Sequence, residues 1–130
     1  MIFLETSFII NFHVEKIQNH QKAKEIYGSI EKKPKCINEM TIYETLTVLR
    51  KLKQTDEHIR EVYNELTTSK DITILEDLHL YEKALDYTLN HNQIGFFDNL
   101  SYIVMKENDI KIIASFDPDF DLFEDIKRIG

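Results

Sequence analysis

Four acids in this chain sit among apolar neighbours: Glu5, Glu44, Asp98 and Asp117. Glu5 ends the run Ile2-Phe3-Leu4 and is followed by Thr6, Ser7 and the apolar Phe8, Ile9 and Ile10. Glu44 has Met40 and Val48 four residues to either side, so its helix face is semi-apolar. Asp98 follows Gly95-Phe96-Phe97, and Asp117 follows Ile112-Ile113-Ala114-Ser115 and opens Asp117-Pro118-Asp119. Other acids, such as Glu15, Glu25, Glu31, Glu57, Glu61 and Glu65, fall between the apolar positions of amphipathic helices and read as solvated faces. A lone buried carboxylate is costly unless it is paired or bound to metal. Several in one cleft repel one another and ionise together only with cations between them. A set of carboxylates with no clustered His or Cys favours hard ions, Mg²⁺ or Mn²⁺. Each acid alone also has a plain structural reading. Glu5 and Asp98 suit the first turn of a helix, where the dipole favours them. Glu44 suits an ion pair or a surface edge, and Asp117 suits a turn.

The elements that would position these acids follow from apolar periodicity and breakers. Ile2-Phe3-Leu4 reads as a buried strand running into a short helix over residues 7–12. A second helix is expected over 15–30, on the spacing of Ile17, Ile26, Tyr27 and Ile30. Lys32, Lys33, Pro34 and Lys35 form a turn before a short strand, Cys36-Ile37. Asn38 suits the N-cap of a long helix reaching Lys53, and Thr55 or Asp56 caps another with Ile59, Val62, Tyr63 and Leu66 in one stripe. Residues 71–75 have strand character, and 78–90 read as a helix with Leu78, Tyr81, Leu85 and Leu89 on one side. Gly95 opens a helix over 96–107, 111–115 is a buried strand, 116–121 an acidic turn, and 126–129 an edge strand. Strands alternate with helical crossovers, which implies a mostly parallel sheet of four to five strands covered on both faces. Acids at the carboxyl ends of its strands stand where open α/β sheets bind ligands.

The 130 residues fit one domain spanning 1–130, with 42% hydrophobic and 30% charged residues, typical of a folded chain. No apolar run approaches the length of a membrane span, and the start has no basic segment of the signal-peptide kind. The single cysteine, Cys36, leaves no internal disulfide or cysteine zinc site, so the cytoplasm is the expected compartment. The formal charge of −7 argues against broad non-specific nucleic-acid binding, but it does not exclude a nucleic-acid enzyme whose acids hold metal.

Four stretches taken together, Leu4-Glu5-Thr6-Ser7, 38–44 ending in Glu44, Gly95-Phe96-Phe97-Asp98-Asn99 and 113–120 around Asp117, resemble the PIN-domain family. Within it they are most similar to the short VapC-type ribonuclease toxins. That family opens with an apolar strand ending in Asp-Thr/Ser-Ser and carries a Glu in the helix after its second strand. It has an acid at a later helix start and closes with a strand followed by Thr/Ser-x-Asp. The match keeps order and spacing over nearly the whole chain. The resemblance implies a three-layer α/β/α fold and a Mg²⁺- or Mn²⁺-dependent endoribonuclease. It makes Glu5, Glu44, Asp98 and Asp117 the catalytic and metal-binding acids. Ser7 and Ser115 match hydroxyls that hydrogen-bond the metal-bound water or a carboxylate, and Asp119 matches an outer ligand or a turn position. It also implies an RNA substrate, a cognate antitoxin protein covering the cleft with a basic side chain, a homodimer built on helical faces, and no membrane role. The stripe of Ile59, Val62, Tyr63 and Leu66 is either a candidate interface or ordinary core.

Position 5 departs from the family, which has Asp where this chain has Glu. The extra methylene carries the carboxylate about 1 Å further or makes it fold back, and misplacement of about 1 Å can cost on the order of 10²-fold in rate. Two readings therefore stand: a nuclease weakened or disabled at Glu5, and a degenerate PIN-like module that binds RNA or a partner without cutting. A phosphoacceptor receiver-like domain fits poorly, since one acid follows the first strand and no Lys follows the late one. Lys32, Lys33 and Lys35, and Arg50, Lys51 and Lys53, are basic turns that suit either phosphate contact or a solvated rim. No aromatic stacking platform is evident, and His13, His20, His58, His79 and His91 read as surface or cap residues.

Overall fold

The structure is a computed structural model describing residues 1–90 and 93–130. His91 lies outside the described residues. The chain runs β1 (Ile2–Leu4), α1 (Thr6–His13), α2 (His20–Ile30), β2 (Lys35–Asn38), α3 (Glu39–Lys51), α4 (Asp56–Thr68) and β3 (Ile72–Leu75). A 3-10 turn, Leu78–Leu80, leads into α5 (Tyr81–Asn90), then come α6 (Phe96–Glu107), β4 (Ile112–Ala114), a 3-10 turn over Pro118–Leu122 and β5 (Lys127–Ile129). Among the described residues the strands form one sheet in the order β3-β2-β1-β4-β5, every pair parallel. This is the α/β/α architecture that the alternation of elements implies.

The sheet is covered on both faces because successive strand residues point opposite ways. Ile2, Leu4, Ile37 and Ala114 enter one core, with Phe8 and Ile9 of α1, Ala23 of α2, Leu49 of α3 and Val62 and Leu66 of α4. Phe3, Cys36 and Ile113 enter the other, with Ala84 of α5, Leu100 and Val104 of α6, and Phe120. The central β1 is buried throughout, and each such large apolar side chain withdrawn from water contributes about 1.5–3 kcal/mol. Val62 and Leu66 are therefore core, whereas Tyr63 of the same stripe is exposed.

Several local expectations change. The second helix begins at His20, because the Asn19 backbone N–H is taken by Asn11 Oδ1 at 3.3 Å and the segment before it is a turn. Helix α3 stops at Lys51, and Lys53 adopts a left-handed φ of 59° that no helix continues through. The face of α5 is the larger correction. Leu78, Leu85 and Leu89 are 73%, 46% and 69% exposed, while the small Ala84 is buried and lets α5 lie close on α6. Lys35 is not part of an exposed basic turn. It is fully buried at the start of β2, and its Nζ donates to the Ile30, Glu31 and Lys33 carbonyls at 3.1, 2.9 and 2.8 Å. Those carbonyls close the end of α2, so the ammonium is spent as a helix C-cap.

Candidate active site

The strand order makes a switch point at the carboxyl ends of β1 and β4. The chain leaves β1 towards β2 and β3 on one side, then returns to place β4 on the other. The crevice outside such a reversal is where open α/β sheets bind ligands. Glu5 follows β1 directly and caps α1, its Oε2 accepting from the Ser7 N–H at 3.0 Å. The same oxygen accepts from the Ser7 hydroxyl and, at 2.7 Å, from the Ser115 hydroxyl that follows β4. The Ser7 Oγ in turn accepts from the Phe116 N–H at 2.9 Å, and Ser115 Oγ accepts from the Asp117 N–H at 3.0 Å. One carboxylate oxygen thus ties two strand ends together. Glu5 is buried, and that burial, with the field of Glu44, pushes its pKa up against the pull of the serine donors.

Glu44 comes from the middle of α3. Burial raises its pKa too, opposed by the Thr6 hydroxyl, which donates to Oε1 at 2.5 Å. Helix α3 is aimed here by an unexpected cap. Asn38 occupies the N-cap position without capping, its Oδ1 accepting instead from the Thr41 hydroxyl. The buried Asp77, two residues beyond β3, accepts from the Met40 N–H at 2.8 Å.

Asp98 lies in the first turn of α6, and Asp117 follows β4 and accepts from the Asp119 N–H at 2.9 Å. Among the described residues, Asp98, Asp117 and Asp119 bring carboxylate oxygens within 4.8 Å of one another. Glu5 and Glu44 stand outside that group, facing it. Burial first, then the fields of Glu5 and Asp117, a hydrogen bond to Asp117 and the field of Glu44, push Asp98 up to about 8. Like charges this close cannot all ionise without a cation, and a set of three carboxylates is the donor chemistry of a hard divalent ion.

The sequence pattern of the PIN domain matches residues 2–126. The chain belongs to the PIN-domain family. Among solved PIN-like folds, VapC20 of Mycobacterium tuberculosis, a sarcin–ricin-loop-cleaving toxin, is similar at 24% identity with a TM-score of 0.84, covering 94% of each chain. FitAcB of Neisseria gonorrhoeae superposes with a TM-score of 0.69 at 15% identity, over 100% of this chain and 97% of that one. PAE2754 of Pyrobaculum aerophilum gives 0.65 at 16% identity, over 98% and 87%. No curated protein sequence is similar enough to this chain to match it. Among the described residues no helix is long and apolar enough to cross a membrane.

The basic turns do not join this PIN-domain site. Lys32 and Lys33 precede β2, at the sheet edge opposite Glu5. Arg50 and Lys51 end α3, two turns or roughly 9 Å along the helix beyond Glu44 and on the side away from the sheet edge. Arg128 comes closer, but its guanidinium is spent on the Asp121 carboxylate at 3.0 and 2.9 Å and on the Ser115 and Gly130 carbonyls. Two exposed aromatic residues that the sequence left unassigned do border the acids. Tyr43 immediately precedes Glu44, and Phe97 immediately precedes Asp98.

Proposed function

We propose that this PIN domain is a Mg²⁺- or Mn²⁺-dependent endoribonuclease, the toxin of a toxin–antitoxin pair acting in the cytoplasm. The observation that carries the reading is the convergence of Asp98, Asp117 and Asp119 at the switch point, with Glu5 and Glu44 facing them. Asp98, Asp117 and Asp119 hold the divalent ion, and Glu5 and Glu44 complete the acidic ring. Such an ion supplies positive charge for the developing charge of a phosphodiester and lowers the pKa of a water.

Each residue has its own part. Protonated Asp98 donates to Asp117, so the two share a proton until a cation takes its place. Glu44, held by Thr6 and raised by burial, accepts the proton of the attacking water. The water oxygen bonds to phosphorus, the bond to the leaving ribose oxygen breaks, and that oxygen takes up a proton. Ser7 and Ser115 fix the Glu5 carboxylate. The fold of the VapC20 toxin supports the toxin assignment, and an antitoxin that covers the acids with a basic side chain fits the charge of the cleft. The exposed leucines of α5 suit a homodimer.

Cleavage of RNA by the purified chain with Mn²⁺ tests the reading, alongside Glu5→Asp and Asp98→Asn. Cleavage by the parent or by Glu5→Asp, lost in Asp98→Asn, is the expected result. Silence from both parent and Glu5→Asp overturns it and leaves the second reading, a PIN module that binds without cutting. The folded-back Glu5 carboxylate favours that alternative.

A further inference from the structure

We propose that Tyr43 and Phe97 form a stacking platform for an unpaired nucleobase of a single-stranded RNA, at the mouth of the cleft between α3 and α6. This rests on the nuclease reading above and names how that site grips its substrate. Tyr43 is 59% exposed and Phe97 46%, although both are large apolar-faced rings. Each stands one residue before a site acid, and both helices begin at the carboxyl edge of the sheet. Each ring points about 100° round its helix from the acid that follows it, and both lead to Tyr81, Tyr43 through its field and Phe97 through Phe96.

The platform has a foundation. Phe97 lies 6.0 Å from the Phe96 ring, and Phe96 meets Tyr81 edge-on at 6.2 Å. Phe96, Tyr81 and Met40 are half-buried against the core beneath. The field of Tyr43 reaches Tyr81, along with those of Asp77 and Glu39, so the start of α3 and the start of α5 share this rim. A ring held in this way presents its face with little conformational freedom to lose, which is what base stacking requires.

Charge makes the same point from the other side. Proteins usually hold nucleic acid through phosphates, with Lys and Arg. This chain carries a formal charge of −7, Lys32 and Lys33 lie at the opposite edge of the sheet, Arg50 stands two turns beyond Glu44, and Arg128 is already bonded. An electrostatic grip at the site is therefore weak. Stacking needs no charge, and every base offers a π face once it is out of a duplex. The occupant is thus single-stranded, and its affinity depends only shallowly on salt.

The test uses fluorescence anisotropy of a fluorescein-labelled single-stranded RNA with the Asp98→Asn protein, which does not consume the probe. The rings are replaced by Tyr43→Ala and Phe97→Ala, with Tyr43→Phe and Phe97→Trp as ring-keeping partners. Loss of each ring is expected to weaken binding about five- to a hundredfold, and the ring-keeping variants to restore it. The same RNA with abasic positions, or annealed into a duplex, is expected to bind the parent more weakly. Both rings are exposed, so thermal melts of the alanine variants should match the parent. Ring-independent binding, equal binding of the abasic strand, or no binding by the parent at millimolar RNA overturns the proposal. So does ring-dependent self-association in sedimentation with ring-independent RNA binding, which would assign the rings to a protein interface. Ring-dependent binding without any cleavage by the parent or by Glu5→Asp leaves the platform standing and removes the nuclease.

Discussion

The Ser115 hydroxyl donates to Glu5 Oε2 at 2.7 Å, joining residues 110 positions apart at the ends of adjacent parallel strands. That oxygen also takes two donors from Ser7, so the longer side chain of Glu5 folds back onto the serines. Glu5→Asp shortens the reach by one methylene and frees the carboxylate from part of this network. Cleavage with Mn²⁺ should rise, on the order of 10²-fold if position 5 is what limits the rate. The α1 cap should survive, since Asp is a preferred N-cap residue, and stability should fall by about 1 kcal/mol through loss of the Ser115 hydrogen bond. Single-turnover cleavage and urea denaturation read the two effects separately, and an unchanged rate would show that Glu5 is no handicap.

Among the described residues, the Thr6 hydroxyl is what donates to the Glu44 carboxylate, across 38 positions of sequence. That bond opposes the rise in the Glu44 pKa caused by burial. Thr6→Val keeps the shape and removes the donor, so Glu44 should titrate higher still. The acid limb of the pH–rate profile should move to higher pH and kcat should fall roughly tenfold, with KM little changed. Thr6→Ser should restore both. A Thr6→Val profile that overlays the parent would remove Thr6 from the mechanism.

Much of this was legible before the structure. Buried strands ending in an acid or a hydroxyl identified both β1 and β4, because both faces of a central parallel strand must be apolar. What failed did so for physical reasons. Leu78 in the turn before α5, and Leu85 and Leu89 within it, stand on a side that is largely exposed, while α5 packs through Ala84, whose small size permits close approach. Lys35 looked like its exposed neighbours, since no periodicity reveals that three carbonyls wait for an ammonium. Nothing in the sequence assigned Tyr43 or Phe97, and only burial distinguishes them from Tyr27 or Phe96. Asp119 was given a lesser place than Glu5, yet the backbone turn at Pro118 puts its carboxylate with Asp98 and Asp117.

Divalent-ion affinity should depend on Asp98 being deprotonated. With no cation its pKa stands at about 8, so below that pH an ion must displace a proton. The apparent Mn²⁺ affinity should therefore climb up to about pH 8 and then level off. Calorimetry in buffers of different ionisation enthalpy should detect proton release near pH 7, absent in Asp98→Asn. The stability sign is the reverse of the usual carboxylate. The native state binds more protons than the unfolded chain, so ion-free stability falls as pH rises from about 4 to 8, and Mn²⁺ should offset that fall.

His13 works in the opposite direction. Burial, helped by His58 and His20, lowers its pKa to about 4. The Glu65 carboxylate 3.7 Å from Nε2 pulls the other way, but it is half exposed and the burial of the ring outweighs it. Here the unfolded chain binds more protons, so stability is lost as pH falls from about 6.5 to 4, by roughly 3 kcal/mol at most. The opposed contributions of His13 and Asp98 overlap in that range. His13→Gln should leave a profile that rises as pH falls towards 4, and Asp98→Asn should flatten that rise, leaving only the parts of Glu5 and Glu44 against the His13 loss. Parallel curves for the two variants would refute the assignment.

Lys35 separates a structural cation from a substrate contact. Its ammonium satisfies three carbonyls at the end of α2 and lies 5.3 Å from the Tyr27 ring. Lys35→Met keeps most of the buried stem and strips those acceptors of their donor, at a cost of about 2 kcal/mol. Lys35→Arg should not rescue, since the planar fork does not fit a pocket built for a compact charge. RNA binding and cleavage by the folded variant should equal the parent's, because Lys35 starts the strand whose far end faces the site. Weaker RNA binding with unchanged stability would instead return Lys35 to the phosphate-contacting role its sequence neighbours suggested.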